Sequence, residues 1–232
     1  ARTPSGFRFT FKAPQTVTQP AAKAFVHPDA GLLRDVLGPL RARGKLACIL
    51  AQFPNGFKCE PENERYIRSV VAAFTDMPVA IEFRHRDWQR PETLALLGEI
   101  GAAYVNVDLP TLEGLPAPSS DAVGSVGYVR FHGRNASQWW TGDNVTRYAY
   151  AYGAQELVQW SQRVAEIEAQ VEATYVFFNN HARGSAARNA EMFEALLEER
   201  FGIVGRSIVA RSEGGNPHQS LLPGMPSYEE GV

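Results

Sequence analysis

This 232-residue chain is short of several things, and each shortage removes a class of function. It has two cysteines, Cys48 and Cys59. Cys48 falls in an apolar stretch and Cys59 in a loop, and they form neither a disulfide framework nor a zinc-type spacing. That usage points to a reducing compartment, so the expected location is the cytoplasm. Charge of one sign is also missing. Lys and Arg number 23 against 25 Asp and Glu, a formal net charge of −2. Such a balance gives no general attraction to polyanions, so nucleic acid is not an expected partner. No apolar run approaches the ~20 residues that span a bilayer, no signal peptide is visible, and no membrane partner is expected. The patterns GxGxxG, GxxxxGK[ST] and GxSxG are absent, which removes the common dinucleotide, P-loop and hydrolase-elbow signatures. Neither HxH nor HExxH occurs, and no metal or cofactor is expected.

What is present is a chain 44% hydrophobic, enough for a sizeable core. Strand and helix patterns alternate along it. Strands are expected at Phe7–Lys12, Leu46–Phe53, Val79–Arg84, Tyr104–Asp108, Val126–His132 and Thr174–Asn179. Helices are expected at 28–43, 61–74, 91–100, 154–172 and 185–200, with Pro61-Glu62 and Pro91-Glu92 opening the second and third. This order calls for a parallel sheet. Residues 133–153 form an aromatic insertion holding Trp139, Trp140, Tyr148, Tyr150 and Tyr152, a candidate lid or wall. Residues 1–204 are expected to form one barrel domain and 205–232 a loose tail.

The strand ends are unusual. Residues two apart in a strand share a face. Ala80, Glu82 and Arg84 form one such set, as do Tyr128, Arg130 and His132. Tyr104, Asn106 and Asp108 form a third, and Arg8, Thr10 and Lys12 a fourth. Each set turns polar toward the C-terminal end. An open doubly wound sheet buries both faces with apolar side chains. One polar face per strand suits a barrel lumen, whose active site lies at the strand ends. The fold class expected is therefore α/β, a TIM-barrel-like (β/α) barrel. It is incomplete here, with about six parallel strands, because the chain opens with Ala1 almost directly in a strand and two units are expected upstream.

The segments Phe7–Pro14, Gln52-Phe53-Pro54, Glu82–Trp88, Tyr128–Arg134 and Phe178–His181, in this order and joined by Ala187, Asn189 and Ala190, resemble the YecE-like family, domain of unknown function 72. The resemblance runs to about Leu197. It implies a TIM-barrel-like fold with the polar strand ends in a cleft, and two further N-terminal strand units. The chain departs from the family pattern at Thr18-Gln19, where the family tends to carry Thr-His. The resemblance implies a fold and a site location but no reaction.

Glu82, Asp108 and His132 are the candidate catalytic residues, with His132 expected to titrate near neutral pH and Asp108 to orient it or to take part in a proton transfer. Lys12, Gln52, Arg84, Arg130, Asn179 and Asn180 are the candidate substrate-binding residues. The expected function is an enzyme, a hydrolase or isomerase, acting on a small anionic or polyhydroxylated substrate. A metal-assisted phosphoester hydrolase and a non-catalytic ligand-binding protein are the alternatives.

Overall fold

Seven residues from Leu46 to Gln52 illustrate how the sheet is specified: Leu, Ala, Cys, Ile, Leu, Ala and Gln leave no polar face until the last position. Such a run is stable only when covered on both sides. In a computed structural model, which describes residues 3–19 and 28–205, it is the second strand of a six-stranded parallel sheet. The strands are β1 (Phe9–Lys12), β2 (Leu46–Gln52), β3 (Val79–Glu82), β4 (Ala102–Asp108), β5 (Val126–Phe131) and β6 (Ala173–Phe178). Their spatial order follows the chain order, each strand pairing with the next. The sheet curls into a half-barrel, an α/β TIM-barrel-like fold. Residues 206–232, most of the expected tail, lie outside the described residues.

Helices connect the strands and cover the convex face. They are α1 (Gln15–Thr18), α2 (Asp29–Ala42), α3 (Pro61–Ala73), α4 (Pro91–Ile100), α5 (Asn144–Arg147), α6 (Ala154–Glu168) and α7 (Ser185–Phe201). Pro61 and Pro91 sit in the first turns of α3 and α4, with Glu62, Glu64 and Glu92 beside them. There proline loses no helical hydrogen bond and the acids complement the helix dipole. Helix α5, inside the aromatic insertion, has a legible start. Asp143 Oδ1 accepts from Val145 N at 3.0 Å and Thr146 N at 2.8 Å, an N-cap.

Two apolar layers lie outside the sheet. The larger joins Ile49, Ala51, Phe53, Ile81 and Phe83 to α1–α4. Its centre is Trp88, stacked on Phe83 at 4.4 Å and donating Nε1–H to Phe57 O at 2.7 Å. Burying one such ring removes 150–250 Å² from water, about 4–6 kcal/mol before entropy is counted. The second outer layer joins Val129 and Phe131 to Trp160, Val164 and Phe193 of α6 and α7. On the concave side Cys48, Leu50, Ala80, Ala103, Val105, Val107 and Tyr128 form the floor of the half-barrel.

The register corrects one expectation. Val105 pairs with Tyr128 and Val107 with Arg130, and paired residues of a parallel ladder share a face. The concave face of β4 is therefore Ala103, Val105 and Val107. Tyr104, Asn106 and Asp108 point outward, opposite to what the strand-end pattern predicts. Tyr104 joins the outer core. Asn106 holds the loop after β4: Nδ2 donates to Asp121 O at 2.8 Å, and Oδ1 accepts from Ser119 Oγ at 2.8 Å and Asp121 N at 3.0 Å. Side-chain parity has period two, so a misjudgement at one residue turns the whole strand over.

Candidate functional site

Four strand ends meet above the apolar floor. Gln52 pairs in register with Glu82, so both face inward. Arg130 reaches from β5 across Val107 and donates Nη1–H to Glu82 Oε2 at 2.5 Å and to Gln52 Oε1 at 3.0 Å. Arg84, two residues past Glu82, donates Nε–H to Glu82 Oε1 at 2.5 Å. His132, two residues past Arg130, has Nε2 at 3.1 Å from both Glu82 Oε1 and Arg84 Nη2. Asn179, after β6, places Nδ2 3.4 Å from His132 Nδ1. The structure thus brings together Gln52, Glu82, Arg84, Arg130, His132 and Asn179. Lys12 lies beside them on β1, coupled electrostatically to Arg130, Glu82 and Arg84.

Glu82 is wholly buried. Burial alone would raise its pKa, but the Arg84 and Arg130 guanidiniums, helped by His132, hold it well below the usual carboxylate range. Burial also disfavours the Arg130 cation, and Glu82 more than offsets this, so its pKa is raised. His132 is wholly buried too. Burial first, and then Arg84, lower it to about 3 against the pull of Glu82. Its ring is neutral at pH 7, which corrects the expectation of titration near neutrality. The neighbours of the ring define two tautomers. Nε2 lies between an acceptor, Glu82 Oε1, and a donor, Arg84 Nη2; with the proton on Nε2 the ring donates to the carboxylate and Nδ1 accepts from Asn179, and with the proton on Nδ1 the ring accepts from Arg84. The pKa of Lys12 is lowered, mainly by desolvation and then by Arg130.

Lys12, Arg84 and Arg130 set three cations against the one carboxylate of Glu82, leaving two positive charges. Part of each guanidinium is unused. Among the described residues Arg84 Nη1 and Arg130 Nε and Nη2 have no hydrogen-bond partner, yet they are not sealed from solvent. The arrangement can hold an anion by charge and by directed N–H groups. It is poorly suited to a metal ion, because both oxygens of its carboxylate are taken by guanidiniums. Among the described residues no group of three His, Cys, Asp or Glu side chains could hold a metal.

Two candidates lie elsewhere. Asp108, on the outer face, accepts from Arg134 Nε at 2.9 Å and Nη2 at 2.9 Å, and from Trp160 Nε1 at 3.0 Å. Only its backbone meets His132, whose N–H donates to Asp108 O at 3.0 Å. It does not orient the imidazole. Asn180 is buried beneath the aromatic insertion, donating to Tyr150 O at 2.9 Å and Asn189 Oδ1 at 2.8 Å. The amides of Asn179 and Asn180 diverge because adjacent residues leaving a strand point to opposite faces. A separate cavity of ≈ 170 Å³, lined by Trp88, Pro91, Leu94, Tyr104 and Asp121, lies on the outer side, away from the converging charges.

The insertion supplies a residue that the strand-end pattern missed. Tyr148 stands over the cluster, its ring 5.9 Å from that of His132 and 6.0 Å from that of His181. Gly133 starts the insertion at φ +83°, where a Cβ would come within 2.7 Å of Tyr150 Cβ. The available signal was the aromatic run following directly on the most polar strand end.

Sequence and structure comparisons place this chain among known proteins. The family model described as "Protein of unknown function DUF72" matches residues 1–212. The UPF0759 protein YunF of Bacillus subtilis (strain 168) is 33% identical over 222 residues, covering 89% of this chain and 79% of that protein. A crystal structure of a DUF72 family protein from Thermotoga maritima MSB8 superposes with a TM-score of 0.80 at 37% identity, covering 84% of this chain and 75% of the other. One from Enterococcus faecalis V583 gives 0.75 at 29%, covering 84% and 76%.

Proposed function

The chain belongs to the DUF72 family, and we propose that its strand-end cluster binds a small anionic molecule at the mouth of the half-barrel. The observation that carries this reading is the division of Glu82 between Arg84 and Arg130. One carboxylate fixes both guanidiniums by one edge and leaves N–H groups of each for a ligand. A ligand with hydroxyl groups would find Gln52 and Asn179 beside the anion position.

The enzyme reading takes a restricted form. Glu82 is held as a carboxylate and His132 is neutral, so neither donates a proton at pH 7 in the free protein. A bound anion would offset Arg84 and Arg130, the charges that depress His132, and bring its pKa upward. His132 would then take up a proton only with ligand in place. A non-catalytic binding protein is the second reading, favoured by an imidazole that has a partner on each nitrogen. The metal-assisted reading is not favoured, since Glu82 has no free oxygen.

Titration calorimetry with inorganic phosphate, with and without Arg130→Gln, tests the pocket. Saturable binding that weakens at least tenfold in the variant is expected; no binding, or equal binding, would sink the reading. The ¹⁵N resonances of His132 separate the two forms. A shift toward the imidazolium on adding phosphate supports acid/base chemistry, and an unchanged neutral ring supports binding alone.

A further inference from the structure

Residues 133–153 are tied down at both ends. At the start, Arg134 bonds Asp108 and donates Nη1–H to Glu156 Oε1 at 2.9 Å. At the end, Tyr150 donates its hydroxyl to the same Glu156 oxygen at 2.7 Å, and Gly153 N donates to Oε2 at 2.9 Å. Asn189 clasps the backbone of Tyr152 on both sides, accepting from its N–H at 3.0 Å and donating to its O at 2.9 Å. Trp139, a third of the way along, is buried against the apolar floor. These anchors fix the segment without using Tyr148. Its ring meets Trp139 edge-on at 6.1 Å and is only half-buried. Its hydroxyl has no hydrogen-bond partner among the described residues. It is close enough to Arg130 to be felt electrostatically. Every neighbouring tyrosine of the insertion spends its hydroxyl on the protein: Tyr150 on Glu156, and Tyr152 as acceptor from Gly133 N at 2.8 Å.

We propose that Tyr148 is a ligand-binding residue whose hydroxyl, with the free N–H groups of Arg84 and Arg130, receives a phosphate-type dianion. This rests on the anion-pocket reading and narrows it. The surplus of two positive charges matches a phosphoryl dianion, which carries close to two negative charges at neutral pH. A carboxylate would leave one charge unmatched. The donors also come from separate elements, Lys12 on β1, Arg84 just past β3, Arg130 on β5 and Tyr148 in the insertion, so they are not held in one plane. A tetrahedral oxyanion can use donors from several directions, whereas a planar carboxylate uses a fork in its own plane.

The test compares inorganic phosphate, sulfate and acetate by calorimetry at pH 7.5 on the whole chain and on Tyr148→Phe. That variant keeps the ring and removes only the hydroxyl. The expected results are phosphate and sulfate binding at least tenfold tighter than acetate, and a loss of about tenfold for phosphate in Tyr148→Phe with the thermal midpoint unchanged. Equal phosphate affinity in the variant overturns the role of Tyr148 while leaving the pocket standing. Acetate binding as tightly as phosphate overturns the dianion. No binding of any of the three by the wild-type chain overturns this inference together with the pocket.

Discussion

Glu82 and Arg130 form an ion pair across an intervening strand. They belong to β3 and β5, with β4 between them, and Arg130 Nη1 lies 2.5 Å from Glu82 Oε2. The bridge is possible because the concave face of β4 offers only Ala103, Val105 and Val107. No polar group there competes for either partner, and the low apolar floor lets the guanidinium reach over it. The outward turn of Asn106 and Asp108 is thus the other side of the same geometry.

Removing the carboxylate should destabilise the fold. Glu82→Gln keeps the shape but leaves Arg84 and Arg130 facing each other with no counter-charge in a buried site. Breaking one side of such an arrangement costs roughly 3–5 kcal/mol. Urea denaturation should show the midpoint falling with little change in slope. A loss below 1 kcal/mol would mean that the cluster is solvated and its charges are weakly coupled.

Acid should weaken the protein earlier than carboxylates alone would. The folded pKa of His132 is depressed to about 3 from the ordinary 6.5 of a histidine. Between those values the unfolded chain binds a proton that the folded chain refuses, so stability rises with pH through that window. Glu82, held well below 4.5, acts in the same direction at the acid end. Its stabilisation is complete above its unfolded pKa and is lost as pH falls toward the folded one. Stability measured by urea from pH 7 down to pH 4 should fall with a His132 component approaching about 1.4 kcal/mol per pH unit. His132→Gln should remove most of the slope between pH 6 and pH 5. A flat profile in the wild-type chain would show that His132 takes up its proton at the same pH in the fold as in the unfolded chain.

The sheet was legible in the sequence, and so was most of the cluster, for the same reason. Pairs such as Glu82 with Arg84 and Arg130 with His132 sit two apart at the ends of apolar runs, a spacing that permits one common face. β4 was not legible in this way. Ala-Ala-Tyr-Val-Asn-Val-Asp puts small apolar residues on one parity and polar residues on the other, and both faces of the strand are buried. Only its neighbours' register decides which set turns inward. The charge state of His132 was beyond reach for a different reason. It depends on burial and on a guanidinium 48 residues away in sequence, whereas the sequence shows only a histidine followed by a glycine.

Asp108 separates a structural carboxylate from a binding one. It is fully buried between Arg134 and Trp160 on the outer face. Asp108→Asn should cost about 1–3 kcal/mol in stability through the weakened clasp, read as a lower urea midpoint. Phosphate affinity, measured by calorimetry at a temperature where the variant stays folded, should match the wild type. A large loss of affinity would show that this residue reaches the mouth after all.

Gly133 tests whether the insertion's entry sets the position of Tyr148. Its φ of +83° lies where other residues are strained, and an added Cβ would fall 2.7 Å from Tyr150 Cβ, well inside contact distance. Gly133→Ala must therefore shift either the turn or Tyr150. Tyr150 is held by Glu156 through its hydroxyl and by Asn180 through its carbonyl, so the strain passes into the segment that carries Tyr148. Strain at one such backbone position is worth of order 1–3 kcal/mol, and the thermal midpoint should drop accordingly. The second readout is local. The near-ultraviolet circular dichroism contributed by Trp139 and Tyr148, which meet edge-on at 6.1 Å, should change while the far-ultraviolet spectrum of the sheet and helices does not. An unchanged near-ultraviolet spectrum together with a lower midpoint would confine the strain to the turn, and the anchoring of the insertion would then not depend on how it leaves β5.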